Sequence, residues 1–331
     1  MIIVNKNTKI WLNYLVGGCI SLFLLWNIYI QITKQLSGID KHLWRQTGDN
    51  VYILACVLLM FANTFMESYK WYILSNAAEK VTYSKALSSY LAGIAFSIIT
   101  PNRVGEYPGR ILYLGRSNTF RYINVSVLGV MSQLCSVYIF GLVGLVYYNY
   151  TYPANLAKAA LVFCIIVNLF IAFVYWRFEG WLPAMAQNRW LKRFAVYGKL
   201  LNRVTTRMQV KVLSISILRF AIFTAQYLFL LLWMKVNMPI AQGICMAMLF
   251  FWIMAVIPSI ALTELGIRGT VSIYLFSHYS SNTLGMIGAS TGIWLINLIV
   301  PSVLGSILIM RMRFIALNDH KLINKQEDVS L

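Results

Sequence analysis

The sequence is poor in charged residues, and this scarcity excludes a fold that is soluble in water. Only 11% of the 331 residues are charged, whereas 59% are hydrophobic. A soluble domain carries about 25% charged residues, so the polar surface of this chain is too small to cover a globule of its size. Its repeated apolar runs of about 20 residues therefore predict membrane-spanning helices.

Histidine and cysteine are also scarce, which limits the chemistry open to the chain. The three histidines fall in predicted loops or in the tail, and the five cysteines all fall in apolar runs without a partner at metal-ligand spacing. We therefore expect no metal ion and no cofactor, and an enzyme is the less favoured class of function. The cysteines are expected to pack as small hydrophobic residues.

Acidic residues are outnumbered by basic residues, 10 against 28, which gives a net charge of +18. The basic residues lie between the apolar runs rather than on one domain. This pattern favours topology signals and attraction to anionic lipid over binding of nucleic acid. A membrane lipid is therefore the expected partner.

Six apolar segments are long enough to cross a membrane alone. They are residues 11–32, 51–74, 122–148, 156–176, 212–234 and 286–310. The first segment is too long for the apolar region of a signal peptide, so we expect it to be retained as a helix. Residues 1–331 are thus predicted to form one all-α membrane domain, with a helical core over 10–315 and a polar cytoplasmic tail over 316–331.

Two further apolar regions are interrupted and do not fit a simple span. Residues 86–115 are broken around 100–103, and residues 240–277 are broken around Pro258 and 263–269. A helical piece of about 12 residues reaches only ~18 Å, which is short of a hydrocarbon core of ~30 Å. Each region is therefore predicted to be a re-entrant pair of half-helices that enters and leaves on one side of the membrane.

The distribution of the basic residues orients these segments. With a cytoplasmic N-terminus, 19 Lys and Arg residues fall in cytoplasmic segments, 5 fall outside and 4 fall at membrane depth. The cytoplasmic group includes Lys70, Lys80 and Lys85. This bias follows the positive-inside rule of multi-pass proteins, here in a bacterial inner membrane. It predicts that 86–115 enters from the cytoplasm, that 240–277 enters from outside, and that both termini are cytoplasmic.

The largest cytoplasmic segment, residues 177–211, has aromatic and aliphatic residues at helical spacing with basic residues between them. This pattern fits a helix that lies flat on the inner leaflet. A plain loop that only sets the topology fits equally well, and the sequence leaves both interpretations open.

The two broken regions share one pattern of charged residues. In each, a glutamate follows a helix-breaking proline and precedes an arginine by four residues: Glu106 and Arg110 in the first region, Glu264 and Arg268 in the second. The repetition in two halves with opposite entry sides is typical of an inverted repeat with discontinuous helices. Glu67, by contrast, is predicted to lie near the inner interface.

Charges at this depth cost about 2.5–3.5 kcal/mol each when they face lipid, so they must pair or contact water. Residues four apart share one face of a helix, so each glutamate is expected to meet its arginine. Gly105 and Thr263 are the predicted N-caps of the two half-helices.

Helix N-termini and arginines together favour an anion. Arg103, Arg110 and Arg268 outnumber Glu106 and Glu264, which leaves one surplus positive charge. A phosphate-bearing lipid head group is therefore the predicted ligand of these five residues. In the alternative interpretation the two ion pairs are structural and only hold the half-helices together.

Residues 101–110, PNRVGEYPGR, also resemble a known signature, in which P-x-R-x-G-E is followed by an arginine. This signature is that of the lysylphosphatidylglycerol synthase transmembrane-domain family, also called flippase-like proteins. Residues 257–268 resemble the second motif of the family. The resemblance implies a lipid-translocating membrane domain, with Arg103, Glu106, Arg110 and Arg268 at the corresponding functional positions.

Two features differ from that family's pattern. Gly269 stands where the pattern has an acidic residue directly after the second arginine, and Glu264 lies upstream instead. Synthase members also continue into a cytoplasmic aminoacyl-transfer domain, whereas this chain ends at Leu331. Aminoacyl transfer is therefore not expected.

Three functions remain open. A flippase or scramblase for an anionic or polyprenyl-phosphate-linked lipid is the leading hypothesis. A membrane glycosyltransferase with a polyprenyl-phosphate donor needs acidic residues in an outer loop, for which Asp40 and Asp49 are the candidates. An ion-coupled transporter of a small anion needs a titratable carboxylate, which Glu264 supplies.

Overall fold

The computed structural model describes residues 6–36, 48–100, 103–114, 119–177, 204–257 and 261–310. Every regular element within these ranges is a helix, which confirms the predicted all-α class. Five helices among the described residues are long and apolar enough to cross a membrane. The chain therefore has the character of a multi-pass membrane protein.

The helices follow the predicted apolar segments. Their bounds are α1 Lys6–Leu36, α2 Asn50–Ala78, α3 Tyr83–Ser97, α4 Glu106–Leu114, α5 Thr119–Thr151, α6 Asn155–Trp176, α7 Thr206–Trp233, α8 Ile240–Val256, α9 Ala261–Phe276, α10 Thr283–Trp294 and α11 Val300–Ile309. A π-helical turn, Leu295–Ile299, joins α10 to α11 in one continuous rod.

The five candidate spans are α2, α5, α6, α7 and the rod formed by α10 and α11. Each coincides with one of the six predicted spans. The remaining predicted span coincides with α1, in which the described apolar stretch, Leu15–Ile30, is shorter than a full span. A membrane crossing by α1 therefore stays a prediction.

Both predicted breaks are present. The first separates α3, which ends at Ser97, from α4, which begins at Glu106, and the second separates α8, which ends at Val256, from α9. Gly105 directly precedes α4, as an N-cap would. Thr263 was predicted to cap the other half-helix, and this prediction is wrong because α9 already begins at Ala261.

Helices α3 and α4 pack closely because two glycines face each other. A Cβ atom on Gly93 would lie 2.5 Å from the Arg110 Cγ and from the Glu106 carbonyl oxygen. A Cβ atom on Gly109 would lie 2.9 Å from the Gly93 Cα. A side chain at either position would force the two helices apart, so the glycines set the distance at which α4 crosses α3.

A polar contact joins the residues that precede and follow each of the two interrupted helix pairs, α3 with α4 and α8 with α9. The Tyr122 hydroxyl donates to the Glu79 carboxylate over 3.1 Å, and α3 and α4 lie between these residues in the chain. The Asn282 side chain donates to the Met234 carbonyl over 2.8 Å, and α8 and α9 lie between them. Each pair thus begins and ends at one end of the bundle.

The two pairs start from opposite ends of α2. The Gly48 N–H donates to the Trp233 carbonyl over 2.6 Å, which places the start of α2 beside the base of α8 and α9. Glu79 follows the other end of this 29-residue helix, roughly 43 Å away. The predicted topology, including the entry of either pair into a membrane, stays a prediction.

Three predicted features lie outside the described residues. They are most of the segment 177–211 with its two open interpretations, the tail 316–331, and Asp40 in the predicted outer loop.

The topology generates the first testable prediction. In a cysteine-free background, new cysteines at Ala154 and Ser281 should react with a membrane-impermeant maleimide added outside the cell, because both residues belong to the predicted outer end. Cysteines at Lys80 and Thr206 should react only after the membrane is opened. All four positions are exposed, so accessibility within the protein is matched. Labelling of Lys80→Cys from outside the cell would show that the predicted orientation is wrong.

Candidate functional site

The carboxylate of Glu67 on α2 binds three cations from three helices. It accepts hydrogen bonds from the Lys70 Nζ over 2.8 Å, from the Arg110 Nη2 over 3.0 Å, and from the Arg219 Nη1. The residue is only 6% exposed. The carboxylate is therefore buried among its partners, and its place near the inner interface stays a prediction.

Lys70 was predicted to count among the basic residues of the cytoplasmic segments, but its side chain is buried in the bundle. The residue lies inside α2, three positions after Glu67, and is buried. Its ammonium group has a second partner in the Ser216 hydroxyl of α7, at 3.4 Å. A lysine in this position contributes to the internal charge balance rather than to topology.

Arg110 of α4 is fully enclosed. Its guanidinium group bonds to the carboxylates of Glu67 and Glu106, which gives the predicted contact with the glutamate four residues earlier. Three aromatic rings surround the guanidinium carbon, at centroid distances of 5.2 Å for Trp71, 4.9 Å for Tyr90 and 5.7 Å for Tyr107. Rings at these distances stabilise the cation through their π faces. Arg110 is thus fixed in one position.

The second glutamate of the paired motif is also shared between cations. Glu264 of α9 accepts hydrogen bonds from the Arg268 Nε over 3.1 Å and from the Arg268 Nη2 over 2.5 Å, which is the predicted contact within the second motif. The same carboxylate oxygen accepts a bond from the Arg103 Nη2 over 2.9 Å. Arg103 belongs to the first motif, so this bond joins the two halves of the chain.

Arg103 makes this contact from an unusual backbone conformation. Its φ angle is +58°, in the left-handed region that non-glycine residues seldom adopt. The residue follows the turn after α3, where its N–H donates to the Thr100 carbonyl over 3.3 Å. Its side chain is 38% exposed, whereas the side chain of Arg110 is 3% exposed. Among the arginines of the two motifs, Arg103 is the most accessible.

Side-chain amides extend the charged cluster across the bundle. The Asn63 carbonyl oxygen accepts a bond from the Arg219 Nε over 2.8 Å, and the Asn63 amide donates to Asn297 over 2.9 Å. Asn297 in turn donates to Gln226 over 3.2 Å. Asn297 lies in the π-helical turn between α10 and α11, an irregularity that often marks functional positions.

The cluster has more positive than negative charges. The ion pairs among the described residues involve five cations and three carboxylates: Lys70, Arg103, Arg110, Arg219, Arg268, Glu67, Glu106 and Glu264. The cluster therefore has a surplus of two positive charges, whereas the motifs alone predicted a surplus of one. Such a surplus at low dielectric favours an anionic ligand.

Two cavities adjoin this cluster. The larger, about 560 Å³, is lined by Arg103, Glu264 and Arg268 and by apolar and aromatic residues of α7, α8 and α10. The smaller, about 220 Å³, contains the Glu67 cluster, and we call it the charged cavity. Both cavities share Arg103, Gln133 and Phe223 in their walls. The bridging arginine thus lies at the junction of the two.

The whole region that builds this site matches one protein family. The family model for the lysylphosphatidylglycerol synthase TM region covers residues 12–305. The chain belongs to this family. No curated protein and no solved structure matches the chain. Family membership extends over both motifs and over α2 and α7, which supply Glu67 and Arg219.

The spacing of Glu67 and Lys70 in the sequence indicates their internal position, which the two motifs alone did not predict. Glu67 and Lys70 are three positions apart inside an apolar helix, the spacing at which opposite charges pair on one face. A pair at that spacing within a span predicts an internal site rather than an interface. The contacts from Arg110 and Arg219 to Glu67, in contrast, connect residues 43 and 152 positions apart.

The cluster predicts that Glu67 matters more to stability than Glu106. Glu67→Gln should lower the free energy of unfolding by about 3–5 kcal/mol, because three buried cations lose their shared carboxylate. Glu106→Gln is the matched control, since it removes one partner from Arg110, which keeps Glu67. The midpoint of thermal unfolding in detergent measures the difference. A smaller drop for Glu67→Gln than for Glu106→Gln would contradict the central role of Glu67.

Proposed function

We propose that this protein is a lipid flippase or scramblase that moves an anionic or polyprenyl-phosphate-linked lipid between the leaflets of a bacterial inner membrane. The observation that carries the proposal is the Arg103–Glu264 bond, which brings residues of both motifs to one cavity within a cluster that has two surplus positive charges. Substrate binding is assigned to Arg103, Glu106, Arg110, Glu264 and Arg268.

The chemistry of the pairs suits the reversible binding of a phosphate. Arg103 and Arg268 both donate to one carboxylate oxygen of Glu264. A phosphate offers the same acceptor geometry to a guanidinium group, which is planar and binds two oxygens at once. The lipid phosphate therefore competes with Glu264 for Arg103, which lines both cavities, and Arg103 returns to Glu264 when the lipid leaves.

In the proposed topology, this exchange serves lipid movement in either direction across the membrane. Helices α3 and α4 enter the membrane from the cytoplasm and α8 and α9 enter from outside, as an inverted repeat, with six crossing helices and both termini cytoplasmic. The arginine at the end of one re-entrant pair and the glutamate of the other then meet near the middle of the membrane. Charged groups in such positions serve substrate pathways in transporters.

The two other functions have less support. Asp49 is exposed and its side chain makes no cap bond, so among the described residues no contact supports a catalytic geometry for it. Asp40, the second acidic residue of that loop, lies outside the described residues. A small-anion transporter does not need the apolar and aromatic walls of the larger cavity. Loss of function in Asp49→Asn with normal protein levels would favour the glycosyltransferase.

Two matched substitutions test the proposal. Arg103 and Lys235 are the two basic residues with a positive φ angle among the described residues, at +58° and +56°. Asparagine tolerates that conformation, so both Arg103→Asn and Lys235→Asn should fold. Arg103→Asn should slow lipid translocation about tenfold or more, because it removes a charge-assisted bond to the phosphate. Lys235→Asn should keep the wild-type rate.

The measurement uses purified protein in liposomes that contain head-group-labelled fluorescent lipids. A membrane-impermeant quencher added outside reports how fast protected inner-leaflet lipid becomes accessible. Arg103→Lys extends the test, because an ammonium group keeps the charge but loses the planar fork. A wild-type rate in Arg103→Asn would end the proposal, provided that the variant is monodisperse.

A further inference from the structure

An apolar groove lies between α4 and α5. It has a volume of about 550 Å³, and every residue in its wall is uncharged. Tyr107 and Ile111 line it from α4, while Ile123, Ser126 and Val127 line it from α5. The groove is thus a cleft of nearly pure hydrocarbon character at the edge of the charged cluster.

The groove is present because α4 packs closely on α3 and not on α5. The glycines at 93 and 109 bring α4 against α3 along its length, whereas α4 touches α5 at few positions. Helix α5 in turn packs on α6 and α8. The space between α4 and α5 is left unfilled by the described side chains.

The groove adjoins the polar part of the site. Tyr107 and Ser126 line both the groove and the charged cavity. Arg103 and Gln133 line both the charged cavity and the larger cavity. Three compartments therefore adjoin in a fixed order: an apolar groove, a small cavity with surplus positive charge, and a larger cavity of mixed character.

We propose that the α4–α5 groove holds the hydrocarbon chain of the transported lipid, with its phosphate in the charged cavity and its polar head group in the larger cavity. This inference rests on the proposed function and specifies its substrate. An apolar chain exchanges bilayer hydrocarbon for the apolar wall of the groove at little cost, and the phosphate gains from the two uncompensated cations.

The order of the compartments selects the class of lipid. The charged cavity, at about 220 Å³, lies between two cavities that are each more than twice as large. Such a row fits a phosphodiester, in which the phosphate connects a chain on one side to a head group on the other. A lipid that ends in a bare phosphate would leave the larger cavity without an occupant.

A pair of valines on α5 provides the test. Val127 lines the groove and is 40% exposed, and Val143 lies about four turns further along the helix and is 49% exposed. The walls of the three compartments do not include Val143. Val127→Trp should fill the groove, whereas Val143→Trp makes the same chemical change on the same helix away from it.

The probe is a phosphatidylglycerol with a photoreactive diazirine at the end of one chain. It is incorporated at low mole fraction into phosphatidylcholine nanodiscs that hold the full-length protein. Diacylglycerol with the same labelled chain lacks the phosphate and the head group and serves as the control lipid. After irradiation, mass spectrometry quantifies the labelling of the peptide that contains residues 123–130.

We expect the phosphatidylglycerol probe to label this peptide about tenfold more than the diacylglycerol probe, since only the former bonds to the charged cavity. Val127→Trp and Arg103→Asn should each lower the labelling to the diacylglycerol level, and Val143→Trp should leave it unchanged. Equal labelling by both probes in the wild type, or full labelling in Val127→Trp, would overturn the groove assignment.

Translocation measured on the same variants separates the two claims. If Arg103→Asn stops lipid movement while Val127→Trp moves lipid at the wild-type rate, the groove assignment fails and the proposed function stands. If Arg103→Asn moves lipid normally, the proposed function fails, and the groove assignment fails with it.

Discussion

A carboxylate that is buried with three cations determines how this bundle is held together. Glu67 receives Lys70 from its own helix, Arg110 from α4 and Arg219 from α7, so one side chain ties three helices to a common point. Removal of the Glu67 carboxylate leaves buried cations without compensation at low dielectric, which is far more costly than loss of a surface pair. The arrangement of α2, α4 and α7 therefore depends on charge compensation as much as on apolar packing.

The same constraint turns two local motifs into one site. Each motif alone would give a glutamate and an arginine on one helical face, a contact that holds only that helix. Arg103 differs from the other arginines of the motifs. It has a left-handed backbone conformation, and it belongs to the first motif but bonds to the glutamate of the second. With five cations for three carboxylates, the joined site is left positive, and the cavities beside it give an anion room to bind.

The sequence predicted what is encoded locally. Apolar runs gave the helices, the interruptions gave both breaks, and the spacing of Glu106 to Arg110 and of Glu264 to Arg268 gave two contacts. The burial of Glu67, the internal place of Lys70 and the Arg103–Glu264 bond depend on which helices pack together. That last bond joins residues 161 positions apart, beyond the reach of any periodicity. The start of α9 at Ala261 lies within the error expected for helix ends.

The central claim is that the paired charges bind substrate rather than only brace the helices. The most direct test is the initial rate of lipid translocation by the double variant Glu264→Gln with Arg268→Gln, in liposomes of defined composition. Neutralising both residues leaves only Arg103 without its carboxylate, and this side chain is 38% exposed, so the account predicts a monodisperse protein that no longer moves lipid. A folded double variant with the wild-type rate would show that the pair is only a structural support, and would contradict the account.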